Sequence, residues 1–327
     1  MTNKKTIKFA IFIMLSFVSD FCFSQVTPEN GSVSITPALT SDNENFETRQ
    51  IFKRKGNIYF YWGYPKAYYS HSDISFTGDI YDFTITDIMA TDDSYKHDFT
   101  TYINPGTFSI PMYNWRVGYF INDKTFINFG QDHMKYEMKK QATYLTGEIR
   151  SGEFEGSYNH TMVVVGEDSE EAVLHTDNLD SLPGEFVAEF EHCDGLNDFG
   201  FEIGRLEQFW ISKNGKNALS AQGTFGMGMM IPDSEVEVIE RKPMHNNAEG
   251  RKSFHLAGYS VSASVGLQFD FFKHLFILGK LKAGYINLPD ILTSLEGGRA
   301  SQHFNFLEPS LVVGYSGNIS RNKKENK

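Results

Sequence analysis

The connections between the hydrophobic runs of this 327-residue chain alternate strictly between short and long. There are eight such runs, at residues 57–69, 113–121, 125–136, 196–210, 218–230, 255–271, 275–288 and 303–315. Short polar joints lie at 122–124, 212–217 and 272–274, whereas the other connections are long and cover 70–112, 137–195, 231–254 and 289–302. Bacterial single-chain membrane barrels have an even strand number, short periplasmic turns and longer outer loops. The sequence therefore predicts an all-β fold, an eight-stranded antiparallel transmembrane up-and-down β-barrel with both termini in the periplasm.

Apolar and polar residues alternate most regularly in the run 255–271. The apolar set is Tyr259, Val261, Ala263, Val265, Leu267, Phe269 and Phe271, and the small or polar set is Ser260, Ser262, Ser264, Gly266, Gln268 and Asp270. Because successive side chains of a strand point to opposite faces, one face is expected to contact lipid and the other the barrel interior. A soluble ligand-binding barrel would place its apolar side chains inside. The alternation also explains how 40% apolar residues coexist with a mean hydropathy of -0.35.

The N-terminus has the organisation of a secretory signal peptide. Three lysines precede the apolar stretch 9–18, and the small residue Ser24 stands before the expected cleavage point. A retained membrane anchor is the alternative, but the stretch is shorter than the ~20 residues that a spanning helix needs. The predicted organisation is a signal peptide (1–24), a flexible periplasmic leader (25–55), the outer-membrane β-barrel (56–317) and a polar C-terminal tail (318–327).

Charged residues with inward register predict a network that closes the barrel. The inward set is Arg116, Asp198, Glu202, Asp270, Lys280, Lys282 and Glu308. An eight-stranded barrel is just wide enough for its side chains to fill, and unpaired buried charges are costly. We therefore expect the three bases Arg116, Lys280 and Lys282 to engage the three acids Glu202, Asp270 and Glu308. The alternative is a selective pore lined by the same side chains.

Few residues suggest catalysis or metal binding. His71, Ser72 and Asp73 are consecutive, so in a strand they face alternate sides and cannot form a relay, although His71 and Asp73 could share a face with a nucleophile from elsewhere. The simpler interpretation is polar residues at the upper rim of the first strand. Asp132 and His133 are assigned to an outer strand end, and the acidic segment 167–171 to a solvated loop that could attract divalent cations. No metal-ligand spacing or phosphate-binding glycine motif is present, so we expect no catalytic residue, metal or cofactor.

Four segments carry a resemblance to known proteins: YFYWGY (59–64), SDISFTG (72–78), FGQDHMKY (129–136) and GYINLPD (284–290). They resemble a family of functionally uncharacterised outer-membrane β-barrels from Bacteroidota, similar in architecture to the OmpA transmembrane domain and OmpX. The resemblance covers about 56–315 and implies a location in the outer membrane of a Gram-negative envelope, but no substrate or catalytic residue. One departure is that Tyr315 is followed by twelve more residues, whereas the assembly signal of such barrels usually finishes at a terminal aromatic residue.

These observations favour a non-enzymatic structural or surface-interaction protein with large extracellular loops, of which 137–195 is the longest. The alternatives are a lipid-modifying outer-membrane enzyme and a narrow solute conduit. Expected partners are outer-membrane lipids, lipopolysaccharide and, during insertion, the barrel-assembly machinery, while any extracellular partner is unidentified. A net charge of -11 argues against nucleic acid.

Overall fold

A computed structural model describes residues 52–92, 98–152, 154–166, 187–192, 195–239, 254–294 and 297–318. The expected signal peptide, nearly all of the leader, the acidic segment 167–171 and the tail beyond Asn318 lie outside these residues. The strands are β1 (Asn57–Pro65), β2 (Tyr68–Tyr69), β3 (Ser72–Thr77), β4 (Tyr81–Ile88), β5 (Ala90–Thr91), β6 (Tyr113–Phe120), β7 (Thr125–Met134), β8 (Glu137–Met138), β9 (Gln141–Ile149), β10 (Gly156–Val165), β11 (Val187–Glu191), β12 (Leu196–Ile211), β13 (Ala218–Pro232), β14 (Glu235–Val238), β15 (Gly258–Phe271), β16 (Leu275–Leu292) and β17 (Arg299–Asn318), with one short helix, α1 (Phe99–Ile103).

Eight of the strands pair in a continuous antiparallel series that returns to its start. The order is β1, β6, β7, β12, β13, β15, β16 and β17, and β17 pairs back onto β1. We call this arrangement the ring; its strands are uneven, from 8 residues in β6 to 20 in β17. Each of the eight predicted runs overlaps one ring strand, and the all-β antiparallel prediction is confirmed. No helix in the described part of the chain is long and apolar enough to cross a membrane.

The two faces of the ring differ as the alternation predicts. Exposed apolar side chains cover the outside, including Phe60, Val117, Ile127, Phe201, Phe225, Met227, Val261, Leu267, Ile277, Leu311 and Val313. In β15, Ser260, Ser262, Ser264, Gln268 and Asp270 are buried, whereas Tyr259, Val261, Leu267 and Phe269 are exposed. The outside of the ring is therefore apolar, and the inward face of β15 is polar, the reverse of a soluble barrel.

The first predicted strand is shorter in the structure than in the sequence analysis. It ends at Pro65, opposite Ser310, and the pairing with β17 resumes at Tyr68–Tyr69, which form the separate strand β2. At the same end of the ring, β16 and β17 extend further than predicted, because β17 continues beyond the ring to pair with β3. We call this the cap end, and the end with the joints 122–124, 212–217 and 272–274 the turn end.

The long connections fold into ordered sheets at the cap end. Strands β3, β4, β9 and β10 continue the ring's sheet from β17, and β14, β11, β8 and β5 form a second sheet. We call these eight strands the cap. Their apolar side chains form one core with residues of the ring, in which the rings of Phe76 and Phe190 meet edge to face at 5.7 Å. The predicted large outer loops are thus largely β-structure.

Aromatic side chains fill the turn end of the ring interior. Tyr59 contacts Phe120, Phe126 and Phe276, with ring centroids 5.5, 5.8 and 6.3 Å away. These residues belong to a separate buried apolar cluster that does not merge with the cap core. The charged interior residues other than Arg54 and Asp270 therefore lie between an aromatic layer at the turn end and the apolar core at the cap end.

Candidate functional site

Seven charged side chains are buried at mid-height inside the ring. They come from β6, β7, β12, β16 and β17, and each is at most 5% exposed; we call them the interior cluster: Arg116, Asp132, Asp198, Glu202, Lys280, Lys282 and Glu308. They come together because neighbouring strands pair in a register that puts all of these positions on the inward face of the ring. The cluster contains four carboxylates and three cationic groups.

Asp132 is the centre of the cluster. Its Oδ2 accepts a hydrogen bond from Arg116 Nη2 at 2.7 Å and another from Lys282 Nζ. The Arg116 guanidinium also reaches Glu202 Oε1 at 3.3 Å, so a single arginine joins two carboxylates from neighbouring strands. These are charge-assisted contacts away from water, the strongest kind of polar contact a protein interior offers.

Two further contacts complete the pairing. Lys282 Nζ lies 3.3 Å from Asp198 Oδ2, which also accepts from Ser260 Oγ at 2.9 Å. Lys280 Nζ lies 4.0 Å from Glu202 Oε1 and 3.2 Å from the Tyr61 hydroxyl. Each of the three cationic groups therefore has at least one carboxylate within ion-pair distance.

The structure brings together most of the six residues of the predicted charge network. Arg116, Glu202, Lys280 and Lys282 make the contacts described above. Glu308 is fully buried and opposite Lys282 in the strand register, yet neither of its carboxylate oxygens has a hydrogen-bond partner among the described residues. The Lys282 ammonium turns to Asp132 and Asp198 instead. The expected engagement of Glu308 with a base is therefore not what the contacts show.

Asp270 does not engage the predicted bases. It pairs with Arg54, a buried residue just before β1, and accepts a 2.8 Å hydrogen bond from Gln268. The register explains the separation, since Asp270 is opposite Phe276, four residues before Lys280 in β16, which is roughly 13 Å along a strand. Inward direction was predictable from alternation, but depth within the ring decides which charges meet.

Asp132 is the member of the interior cluster that the sequence analysis missed. It lies near the cap end of β7, as expected, but it points inward, is fully buried and is paired with two bases. Its signal was available in β7, where Phe126, Asn128, Gly130 and Asp132 share the buried face. Gly130 makes room for the pairing, because a Cβ there would lie 2.7 Å from Arg116 Cδ and 1.9 Å from the Trp115 carbonyl oxygen.

The ring interior contains a small cavity. The cavity beside Glu202 and Lys280 measures about 10 Å³, which is room for roughly one water molecule. Tyr59, Phe120 and Phe276 line its turn-end side. Among the described residues, the interior thus holds a charged cluster with aromatic rings on its turn-end side.

The second predicted candidate, His71 with Ser72 and Asp73, lies at the cap end. Ser72 points inward and accepts a hydrogen bond from Gln302 Nε2 at 2.9 Å, whereas His71 and Asp73 are exposed on the outer face. The three residues thus form no relay, as expected for consecutive residues. They lie before and in β3 rather than at the rim of the first strand, and the partner of His71 Nδ1 is Asp87 Oδ1 at 2.8 Å.

Three carboxylates of the cap could hold a cation. Glu189, Glu191 and Glu235 each have one oxygen within 4.8 Å of the others, and all are half-buried. Each already makes other polar or electrostatic contacts, and clustered acidic groups are common without a metal. We therefore assign no metal site to them.

An antiparallel ring with an apolar outside and a charged inside is the organisation of outer-membrane β-barrels. No family model and no curated protein matches the sequence. Solved structures that match include OprG of Pseudomonas aeruginosa (8% identity, 82% of this chain and 100% of that chain, TM-score 0.36) and Ail of Yersinia pestis (11%, 80% and 99%, 0.27). The outer membrane protease OmpT of Escherichia coli also matches (8%, 82% and 99%, 0.25). With TM-scores this low, the matches say nothing of what this chain binds or does.

Proposed function

We propose that this chain is an eight-stranded outer-membrane β-barrel with a closed interior, and that it acts as a non-enzymatic structural or surface-interaction protein through its cap. The observation that carries the proposal is the interior cluster, whose three cationic groups are all paired and which lies between an aromatic layer and the cap core. A closed interior leaves the cap as the part of the molecule that meets partners. In this proposal an extracellular partner binds the cap, and its identity is open.

The height of the apolar band supports embedding in a membrane. On the outer face of β16, apolar residues run from Leu275 to Tyr285, ten residues further along. At ~3.3 Å per residue and a tilt of about 40°, this distance is about 25 Å along the membrane normal. That is the height of the apolar band of outer-membrane barrels.

The difference between the two ends supports the orientation. The turn end has only short joints. The first residue of β1 and the last residue of β17 also lie there, opposite each other. Short turns face the periplasm in outer-membrane barrels, so the cap lies outside the cell in this proposal. A removed signal peptide, assembly by the barrel machinery, contact with lipopolysaccharide, and kinship with the Bacteroidota barrels that four segments resemble belong to the same proposal.

Cysteine labelling in a Gram-negative host tests location and orientation together. In a Cys193→Ser background, Asn159→Cys in the cap should react with a membrane-impermeant maleimide in intact cells. Lys213→Cys, in a joint at the turn end, should react only after permeabilisation. Recovery of the protein in the soluble periplasmic fraction, or labelling with the opposite sidedness, would overturn the proposal.

Planar-bilayer recording tests the closed interior. The purified protein should give no steady single-channel conductance, because aromatic and charged side chains fill the ring. A stable conductance in the native protein would favour the narrow solute conduit instead.

One observation favours a second candidate, a lipid-modifying enzyme: the His71–Asp87 pair could serve as a general base at the outer rim. Mass spectrometry of lipid A and phospholipids from cells with and without the protein separates the two functions. Unchanged lipid profiles are expected for a surface-interaction protein. A reproducible acyl-chain change that disappears in His71→Ala would replace our proposal with the enzyme.

A further inference from the structure

The turn end carries a concentration of positive charge in a chain whose net charge is -11. Four connections meet there: the segment 52–56 before β1 and the joints 122–124, 212–217 and 272–274. Together they hold six exposed lysines and a single acid, Asp123. Each connection contributes at least one of these lysines, which we call the lysine belt: Lys53, Lys55, Lys124, Lys213, Lys216 and Lys273.

The acids at the surface of the turn end leave most of this charge unpaired. The Asp123 carboxylate accepts hydrogen bonds from the backbone N–H groups of Arg54 and Lys55 at 2.7 and 2.9 Å, and it offsets one charge of the belt. Glu207 pairs with Lys124 at 2.7 Å. Among the residues that the structure describes, the other five lysines of the belt have no ion pair within 4.0 Å. The belt therefore keeps an excess of positive charge that is open to an external anion.

Three of the unpaired lysines lie on two joints that touch. The backbone N–H of Lys273 donates to the carbonyl oxygen of Lys216 at 3.1 Å, so the joints 212–217 and 272–274 are in direct contact. Both side chains are exposed, as is that of Lys213 on the first of these joints. Like charges on neighbouring joints repel each other, and an anion bound between them removes that repulsion. This part of the belt therefore suits a negatively charged group.

A row of aromatic side chains connects the apolar outside of the ring to these lysines. Phe269 is exposed on the outer face of β15, and the ring centroids of Phe269 and Phe271 are 6.2 Å apart. The ring of Phe272 follows at 5.8 Å from that of Phe271; it is 71% exposed and directly precedes Lys273. Trp210, shortly before the neighbouring joint, is 47% exposed. Aromatic residues form girdles at both interfaces of outer-membrane barrels, so the row places the lysines at the height of lipid headgroups.

The turn between β15 and β16 carries these side chains against the preference of its own backbone. Phe272 and Lys273 both have a left-handed φ, of +55° and +72°. Glycine and asparagine adopt this conformation more readily than phenylalanine or lysine. An aromatic and a cationic side chain that the turn itself does not favour indicate a role outside the turn.

We propose that the lysine belt binds anionic phospholipids of the inner leaflet, with the lysines of the two touching joints on the headgroup phosphate and the acyl chains along Phe269 and Phe271. In an outer membrane, lipopolysaccharide occupies the outer leaflet and phospholipids the inner one. The turn end therefore meets phospholipids in the orientation proposed above, on which this inference rests. The headgroup of phosphatidylglycerol has a phosphate charge and no ammonium of its own, so lysine ammonium groups complement it. The aromatic row beside the belt favours a lipid over a periplasmic polymer.

Native mass spectrometry of the purified full chain in detergent tests the inference. Phosphatidylglycerol, phosphatidylethanolamine and phosphatidylcholine with identical acyl chains serve as probes. We expect phosphatidylglycerol to be retained about tenfold more than either zwitterionic lipid, because more than one lysine contacts its phosphate. The triple variant Lys213→Gln/Lys216→Gln/Lys273→Gln should lose most of this preference, whereas Lys213→Arg/Lys216→Arg/Lys273→Arg, which keeps the charges, should retain it.

Lys135→Gln/Lys139→Gln/Lys140→Gln is the matched control, because it removes the same charge from the cap end. Equal retention of all three lipids by the native protein would overturn the inference. So would an equal loss of preference in the control, since net charge alone would then account for it. Binding of purified peptidoglycan that the belt variant loses, without any lipid preference, would assign the belt to the cell wall instead.

Two further measurements separate this inference from the proposed function. Altered gel mobility on boiling shows that each sample is a folded barrel. The cysteine labelling described above reports the orientation independently of any lipid. A folded barrel in the proposed orientation without a preference for phosphatidylglycerol would therefore refute the belt alone.

Discussion

Replacing single carboxylates of the interior cluster by amides should distinguish a paired acid from an unpaired one by the change in the free energy of unfolding. Three cationic groups face four carboxylates, and Asp132, Asp198 and Glu202 account for all the ion pairs within 4.0 Å in the described interior cluster. Glu308 is the acid left over. Because a buried unpaired charge is costly, we expect Glu308 to be uncharged at neutral pH and the remaining cluster to be electrically balanced.

The two amide variants should therefore differ widely in cost. Glu202→Gln keeps the side-chain volume but leaves Lys280 without its carboxylate and Arg116 with one partner, and breaking a buried pair in this way costs about 3–5 kcal/mol. Room for one water molecule beside Glu202 softens the loss, so we expect about 3 kcal/mol. Glu308→Gln replaces a neutral acid by a neutral amide and should cost less than about 1 kcal/mol.

Equilibrium unfolding in urea, with the protein inserted in lipid vesicles, measures both changes. The folded fraction is read from gel mobility without boiling and from tryptophan fluorescence. Glu207→Gln is the matched control on the same strand: its ion pair with Lys124 is about half-exposed, and such pairs contribute at most about 1 kcal/mol. If Glu308→Gln cost as much as Glu202→Gln, Glu308 would be charged and engaged, and the charge balance would be wrong. Raised single-channel conductance in Glu202→Gln would identify a gated pore rather than a closed barrel.

Three further predictions concern the cap, the packing of the ring and the membrane surface. Burial lowers the pKa of His192 to about 3, below the ~6.5 of an unfolded chain. The neutral imidazole therefore stabilises the cap fully above pH 6.5, and about 2 kcal/mol of that stability is lost by pH 5. Hydrogen exchange of the cap should show this loss, and His192→Gln should abolish the pH dependence. Gly130→Val should destabilise the barrel by at least about 1–3 kcal/mol in urea unfolding, since its Cβ would overlap the Trp115 carbonyl. Phe99 and Ile103 of α1 are 73% and 64% exposed, and Tyr102 of the same helix packs against Tyr64 of β1. The fluorescence of Phe99→Trp should therefore be quenched by lipids brominated near the headgroup; quenching by aqueous iodide alone would contradict lipid contact.

The ring strands could be predicted because lipid and interior impose opposite polarity on alternate residues. That constraint acts along each strand separately, so Ser260 and Val261 reveal their faces without knowledge of any partner. The cap strands also alternate, with Ile74 and Phe76 buried opposite Ile85 and Phe83. They were assigned to loops because their pairing depends on contacts between distant connections, which local alternation does not specify.

In the interior cluster, too, the direction of a side chain can be predicted from its own strand, whereas its depth in the ring cannot. Alternation indicated that Arg116, Lys280 and Lys282 point inward, and they are buried. It could not indicate depth, and depth separates Asp270 from those bases and pairs it with Arg54 instead. Strand offsets around the ring determine such depths, and they arise from the pairing of all eight strands together.

The interior charges have a physical role that stability alone does not explain. Apolar side chains of similar size would fill the ring interior as well or better, because a buried ion pair is often no more stable than its hydrophobic replacement. Register is different: a slip of β16 by one residue would turn Lys280 and Lys282 from the interior to the lipid face. Each lysine would cost about 2–4 kcal/mol near the middle of the membrane, so one slipped strand would lose roughly 4–8 kcal/mol. We therefore expect the paired charges to select one register during assembly. A variant in which all seven residues of the interior cluster are replaced together by apolar side chains of similar size should be as stable once folded but should insert with a larger misfolded fraction.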